Sequence, residues 1–383
     1  MEKEKLKKYR SQISTVSFYL ALLIELTIVI LDKSAYTVQY EGMWFRLTFL
    51  LFGISLITAK HNLREWIWFT IFLLLGFISY RMCGKNEIIR FVVFIWACHK
   101  RDIMKALKLT FWYTLAGCFV LVILSLLGVY GTISLTAVYR NGIEETRYCF
   151  GMGHPNAFHA MAFALTLLGV YCYREKIKWY GYALIFILHL LVFWFTDSRA
   201  GFLTSIGALA LMIVFRYCKL LQTNKWVYIF GVVFIALCVY LSVMMAKHNI
   251  SYPLFEKMDY YLNGRIYSLF DTTNDEGTLR TWSLWAENSY RVYFDLGIVR
   301  VFYWYGIIPA TVYFFAQCRL LWCGYKRKDY MLLVVMISIT LYTVFEAHFV
   351  SVYLGRNYIL FFFAMYLSDM LGQKDNQGIS ERG

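Results

Sequence analysis

Three polar runs interrupt an otherwise apolar sequence, and each carries side chains suited to holding an anion or moving a proton. They are Gly151-Met152-Gly153-His154-Pro155-Asn156, Thr196-Asp197-Ser198-Arg199-Ala200-Gly201, and Leu262-Asn263-Gly264-Arg265-Ile266 within a long segment at about 246–295. In the first, Pro155 fits the opening turn of a helix, where its missing N–H costs nothing. His154 and Asn156 can then satisfy free amides or face a cavity, and a helix N-terminus attracts anions. An ordinary capped helix start explains the same spacing. No strand precedes the two glycines, which argues against a nucleotide loop. In the second run, Asp197 or Ser198 can cap the following helix. Arg199 opposes that helix's dipole, so its partner is either Asp197 or an anionic ligand. Ala200, Gly201, Thr204, Ser205 and Ala208 form a small-residue face for close helix packing.

The elements that position these runs are membrane helices. Hydrophobic residues are 60% and charged residues 16%, with a mean hydropathy of +0.53. A soluble domain cannot hide that much apolar surface. Continuous apolar stretches exclude the alternating pattern of a β-barrel. The reading is an all-α polytopic membrane protein forming one integral membrane domain over 1–383. It has about 12 transmembrane helices, at 14–31, 44–59, 66–80, 87–98, 109–130, 154–173, 179–196, 199–217, 226–245, 296–318, 330–346 and 357–371. One large external loop joins the ninth and tenth, and a polar tail at about 372–383 follows the last. The basic Met1–Arg10 leads into a span too long for a signal peptide and without a small-residue cleavage site.

With the N-terminus inside, the inner segments hold 23 Lys and Arg and the short outer loops seven. This bias predicts that both termini are cytoplasmic and that all three polar runs face outside. It also accounts for most of the +14 net charge, so no nucleic acid is needed as a partner. The nine cysteines and seven histidines show no metal-ligand spacing, and neither a metal nor another cofactor is expected.

Glu25, Arg46, Arg90, His189, Arg300 and Glu346 all fall in the outer halves of their helices. Ionisable groups at such depth face partners or a wet cavity; Arg46 and Arg300 can also snorkel from a helix end. The long loop is rich in aromatic residues, among them Tyr260, Tyr261, Trp282, Trp285 and Tyr293. Loops this long are usually functional. Aromatic faces with scattered carboxylates suit sugar rings, although Trp and Tyr also gather at membrane interfaces.

The three runs, with Asp295-Leu296-Gly297, Arg300, Tyr305-Gly306-Ile307-Ile308-Pro309, Glu346 and Asn357 downstream, resemble the Wzy-type oligosaccharide repeat-unit polymerases of Gram-positive capsule and exopolysaccharide systems, relatives of the O-antigen polymerase and ligase group. The resemblance covers nearly the whole chain through motif order, spacing and helix layout. It implies a metal-independent glycosyltransferase of the bacterial cytoplasmic membrane. Such an enzyme transfers a growing glycan from undecaprenyl diphosphate to a new lipid-linked repeat unit on the outer face. Its partners are undecaprenyl-diphosphate-linked oligosaccharides and membrane lipid, with a chain-length regulator as a candidate protein partner.

On this reading Arg265 and Arg199 clamp the diphosphate, since Arg makes fork-like contacts and stays protonated. His154 and Asn156 assist, and Arg300 and Asn357 join the substrate-binding set. Asp295, Glu287 and Glu346 are the candidate general bases. The family often has Asp-Asn before a small residue and Tyr, where this chain has Asp295-Leu296-Gly297-Ile298, so Glu287-Asn288-Ser289-Tyr290 is a rival alignment. The lack of His between His248 and His348 favours polymerase over ligase. The alternatives are a flippase or exporter of the same lipid-linked sugars, an O-antigen-ligase-like transferase, and a membrane acyltransferase using His154. An exporter needs charges through the full membrane depth.

Overall fold

The computed structural model describes residues 2–34, 36–138, 144–262, 264–271, 277–287 and 292–373. Most are helical. In chain order the elements are α1 (Glu2–Lys33), α2 (Glu41–Thr58), α3 (Leu63–Cys83), α4 (Glu87–His99), α5 (Ile103–Leu126), β1 (Ser134–Val138) and β2 (Glu144–Tyr148). They continue with α6 (Pro155–Tyr173), α7 (Trp179–Thr196), α8 (Arg199–Tyr217), α9 (Lys219–Thr223), α10 (Lys225–His248), α11 (Pro253–Tyr261) and α12 (Ser268–Asp271). The last are α13 (Gly297–Tyr305), α14 (Ile307–Lys326), α15 (Tyr330–Phe345) and α16 (Tyr358–Met370). Among the described residues nine helices are long and apolar enough to cross a membrane, and α15 and α16 are shorter apolar helices. The chain is a multi-pass membrane protein.

Packing follows side-chain size. α15 and α16 are apolar on nearly every face and buried all round, as expected for helices at the centre of a bundle. α8 lies against α15 and α6 through the small face foreseen above: Gly201, Thr204, Ser205 and Ala208 are all buried. A Cβ at Gly201 would stand 2.8 Å from the His159 ring.

Three features depart from the sequence reading. The all-α expectation misses an antiparallel hairpin, β1–β2, between α5 and α6, in register Thr136↔Thr146. Second, the helix expected over 296–318 is two helices. Gly306 breaks it at φ 91, a conformation open to glycine. A Cβ there would meet Trp285 Cα and Ala286 N, each at 2.6 Å. The strap Ser283–Ala286 lies in that space and completes the break. Ile307 N–H donates to Ser283 O at 2.9 Å and Ile308 N–H to Leu284 O at 3.0 Å. Pro309 has no N–H to satisfy, so the strap supplies acceptors for the first donors of α14.

Third, of the two settings open to the deep charges, Glu25, Arg90 and His189 take buried partners and not a cavity. Glu25 and Arg90 form a buried ion pair at 2.8 Å. Glu25 also accepts from Thr48 Oγ1 at 2.6 Å and Leu354 N–H at 3.3 Å, and Arg90 donates to Val352 O over the Phe45 ring. Losing one member of such a pair strands the other, at about 3–5 kcal/mol. His189 is likewise buried, in a chain Thr166–His189–His159–Thr196 of side-chain contacts at 3.0, 3.4 and 3.4 Å. Arg46 is exposed, as snorkelling predicts.

Candidate functional site

Residues from distant segments meet at the end of the bundle where α1, α5, α7, α10 and α15 terminate. Arg265 is at the centre. Asp259, near the end of α11, accepts at Oδ1 from Ile266 N–H (2.7 Å) and Tyr267 N–H (3.1 Å). Its carbonyl accepts from Gly264 N–H at 3.0 Å. Gly264 takes φ 75, closing the turn. The turn is therefore tied to α11 by three amides, and Arg265 is delivered inward from it. Asn263 lies outside the described residues.

Arg265 is buried and each of its three guanidinium nitrogens donates a hydrogen bond. Nε donates to Asp295 Oδ2 at 3.0 Å, Nη1 to Phe345 O at 3.0 Å and Nη2 to Glu346 Oε1. Glycine at 297 allows the meeting: a Cβ there would be 2.8 Å from Thr343 O and 2.9 Å from Glu346 O. That close approach brings Asp295 beside the end of α15.

The two carboxylates are unequal. Asp295 keeps 53% of its side chain exposed and Glu346 only 12%. Burial pushes the Glu346 carboxyl up to about 7, against the downward pull of Arg265. Glu346 lies one residue past α15. Glu287, the third candidate base, is exposed and has no bond to this network among the described residues. Its neighbours Asn288, Ser289 and Tyr290 lie outside them.

His154 caps α6: its Nδ1 accepts from Asn156 N–H at 3.1 Å. Burial holds its pKa below the usual histidine value, opposed by nearby Asp295 and assisted by Arg147 and Arg265. The capping reading of this run thus holds, and the ring also neighbours the Arg265 network. Gly151 and Gly153 both take positive φ in the turn between β2 and α6, so a strand precedes the two glycines after all.

Arg199 lies further out. Its side chain is 66% exposed, with Nε 3.7 Å from Asp197 Oδ1. The foreseen cap is missing: neither Asp197 nor Ser198 makes a side-chain cap bond to α8. Asp197 instead ends α7 in the left-handed region at φ 44, where its carboxylate faces Arg147 of β2 at 3.1 Å. The hairpin thus brings a second arginine to this rim.

Arg300 stands on α13, outside the long span once expected to hold it. Nε donates to Phe294 O at 2.8 Å, and Nη2 reaches the same oxygen. The guanidinium centre is 5.0 Å from the Trp304 ring. Asn357 is buried at the start of α16, with Oδ1 lacking a hydrogen-bond partner among the described residues. Of the loop aromatics, Tyr260, Tyr261 and Tyr293 are exposed. Trp282 instead stacks on Phe302 at 4.6 Å.

Sequence reasoning left out Lys33 and Arg356, which it used only to count charge. Arg356 pairs with Asp32 at 2.9 Å, and Tyr353 donates its hydroxyl towards Asp32 and Glu41. Their presence among the few cations of the expected outer loops was the available signal. Among the described residues no three His, Cys, Asp or Glu side chains gather as a metal site. Asp275, Glu276 and the Asp271 side chain lie outside them.

No protein-family model, curated protein or solved structure matches this chain.

Proposed function

We propose that this protein polymerises lipid-linked oligosaccharide repeat units at the outer face of the bacterial cytoplasmic membrane, with both termini in the cytoplasm. The growing glycan passes from undecaprenyl diphosphate to a new lipid-linked repeat unit. The observation that carries the reading is the Arg265 network. A half-exposed carboxylate, Asp295, is fixed by a buried guanidinium that is itself braced by Glu346 and the end of α15. Three motif segments far apart in the chain converge there, at one end of the membrane bundle.

Asp295 is the best-placed base of the three carboxylates. The acceptor hydroxyl gives its proton to Asp295 as its oxygen bonds to the anomeric carbon of the donor. The bond from that carbon to the phosphate oxygen breaks, and the diphosphate leaves with the electron pair. Fixed positive charge around the site stabilises the leaving group. Arg265 holds Asp295 in place, Glu346 balances Arg265, and exposed Tyr260, Tyr261 and Tyr293 offer faces to sugar rings. Arg199 and Arg147 form an outer rim that draws in anionic substrate.

The purified protein, reconstituted with undecaprenyl-diphosphate-linked repeat units in excess chelator, should make a ladder of products. Asp295→Asn should make none while inserting normally. Translocation of the lipid-linked sugar without any extension would replace the polymerase by an exporter.

A further inference from the structure

α1 is longer than the bilayer is thick. Its 32 residues run unbroken from Glu2 to Lys33, about 48 Å of helix at 1.5 Å per residue, against a hydrocarbon core of about 30 Å. α2 ends first. Arg10 donates to the last carbonyls of α2, Thr58 O at 3.0 Å and Ile57 O at 2.8 Å. Beyond that level α1 projects, with every residue from Glu4 to Gln12 exposed. The projecting part is basic, with Lys5, Lys7, Lys8 and Arg10 against Glu4. It nonetheless carries large apolar side chains in order: Leu6 is 70% exposed and Tyr9 63%. Ile13, Val16 and Leu20 are exposed in turn, so the stripe advances by alternate steps of three and four. On a helix that spacing makes one continuous seam. α1 gives the bundle a different face, with Ser14, Phe18, Ala21 and Leu22 buried. In lipid an apolar side chain needs no cover. Leu6 and Tyr9 stand beyond the hydrocarbon, where it does.

The charges decide what covers the seam. Lys5 and Arg10 border it on either side. Two copies of this chain insert the same way round. Pairing their seams in parallel would set Lys5 of one opposite Arg10 of the other, like against like. Anionic headgroups attract the same charges, but the helix has no break at which Glu4–Gln12 could fold down onto the membrane surface.

We propose that this seam is an interaction surface for a helix of another membrane protein. That helix runs alongside α1, with apolar residues at the same spacing and Asp or Glu beside them outside the bilayer. Its carboxylates meet Lys5 and Arg10, and its apolar residues cover Leu6 and Tyr9. The proposal is independent of the chemistry assigned to the Arg265 network.

The test places the photo-cross-linker p-benzoylphenylalanine at position 9 or, separately, at position 16 of the full-length protein in its native membrane. Light should join the partner to both positions, and far less to the same probe at position 7, on the far side of the helix. Mass spectrometry of the digested adduct should map the join to a helix that adjoins a membrane span and carries Asp or Glu. Lys5→Glu, with the probe at position 9, should cut the adduct about threefold or more. Added salt in isolated membranes should cut it as well. An adduct with a second copy of this chain would replace the acidic partner by self-pairing. Adducts with lipid alone, or none, would leave the seam facing lipid and overturn the proposal. So would a joined segment without acidic residues, a yield unmoved by Lys5→Glu, or equal yields at positions 9 and 7. No arm measures product formation, so the polymerase reading stands whichever way the seam is decided.

Discussion

Arg265 and Glu346, 81 positions apart in sequence, are joined through the guanidinium Nη2 and one carboxylate oxygen at the end of α15. The contact ties the long loop to the most buried part of the bundle. It also makes each residue depend on the other. Arg265→Ala strands a buried carboxylate and should cost about 3–5 kcal/mol. The double variant Arg265→Ala/Glu346→Ala removes the stranded group, so its thermal midpoint in detergent should lie nearer the parental value than that of Arg265→Ala. Strictly additive losses would show that the two do not act as a pair.

Stability should depend on pH through Glu346. Its carboxyl is raised from 4.5 to about 7 by burial, so the folded protein holds the proton more tightly than the unfolded chain. This contribution is complete below the unfolded value and is lost as pH rises through about 7. His154 acts oppositely: its lowered value favours the neutral ring, and that contribution fades on acidification. Thermal midpoints between roughly pH 5 and pH 8 should therefore contain a falling component that Glu346→Gln abolishes. Identical pH profiles for the two proteins would refute it.

Asp197 is held at φ 44 between α7 and α8. Asn tolerates this region and Ala does not, with a difference of about 1–2 kcal/mol. Both lose the charge facing Arg147 and Arg199. Asp197→Ala should accordingly melt below Asp197→Asn. Equal midpoints for the two variants would mean that backbone strain at this turn is negligible.

The orientation can be read directly. Lys257 on α11 belongs to the loop that the charge bias places outside. Lys257→Cys, in a background without the native thiols, should react with an impermeant maleimide in intact cells. Reaction only after lysis would invert every segment of the proposed topology.

Much of the architecture was legible because membrane helices announce themselves through length and apolarity. The starts of α6, α7 and α8 fall within a residue of where Pro155, the basic run before Trp179 and the turn at Asp197 put them. What escaped depends on tertiary partners. Gly306 sits in an apolar run with no local sign that a strap from residues 283–286 would fill its missing Cβ. The hairpin has no hydrophobic alternation strong enough to distinguish it from a loop. Glu25 could not be assigned to a partner or to a cavity because its partner, Arg90, lies three helices on. Within the site, residue type identified Arg265, Asp295 and Glu346. Only the folded arrangement shows that they neutralise one another.

The strap over Gly306 has a consequence for how the long loop can move. Ser283 and Leu284 accept the opening amides of α14, so lifting this part of the loop would bare two donors at the mouth of a membrane helix, at about 1–3 kcal/mol each. The same lift would vacate the backbone-lined space at position 306. A swinging door would have to break this stitch at every opening. The loop is better regarded as a roof pinned near its C-terminal end, which on the proposed function leaves lipid-linked chains a sideways path from the bilayer.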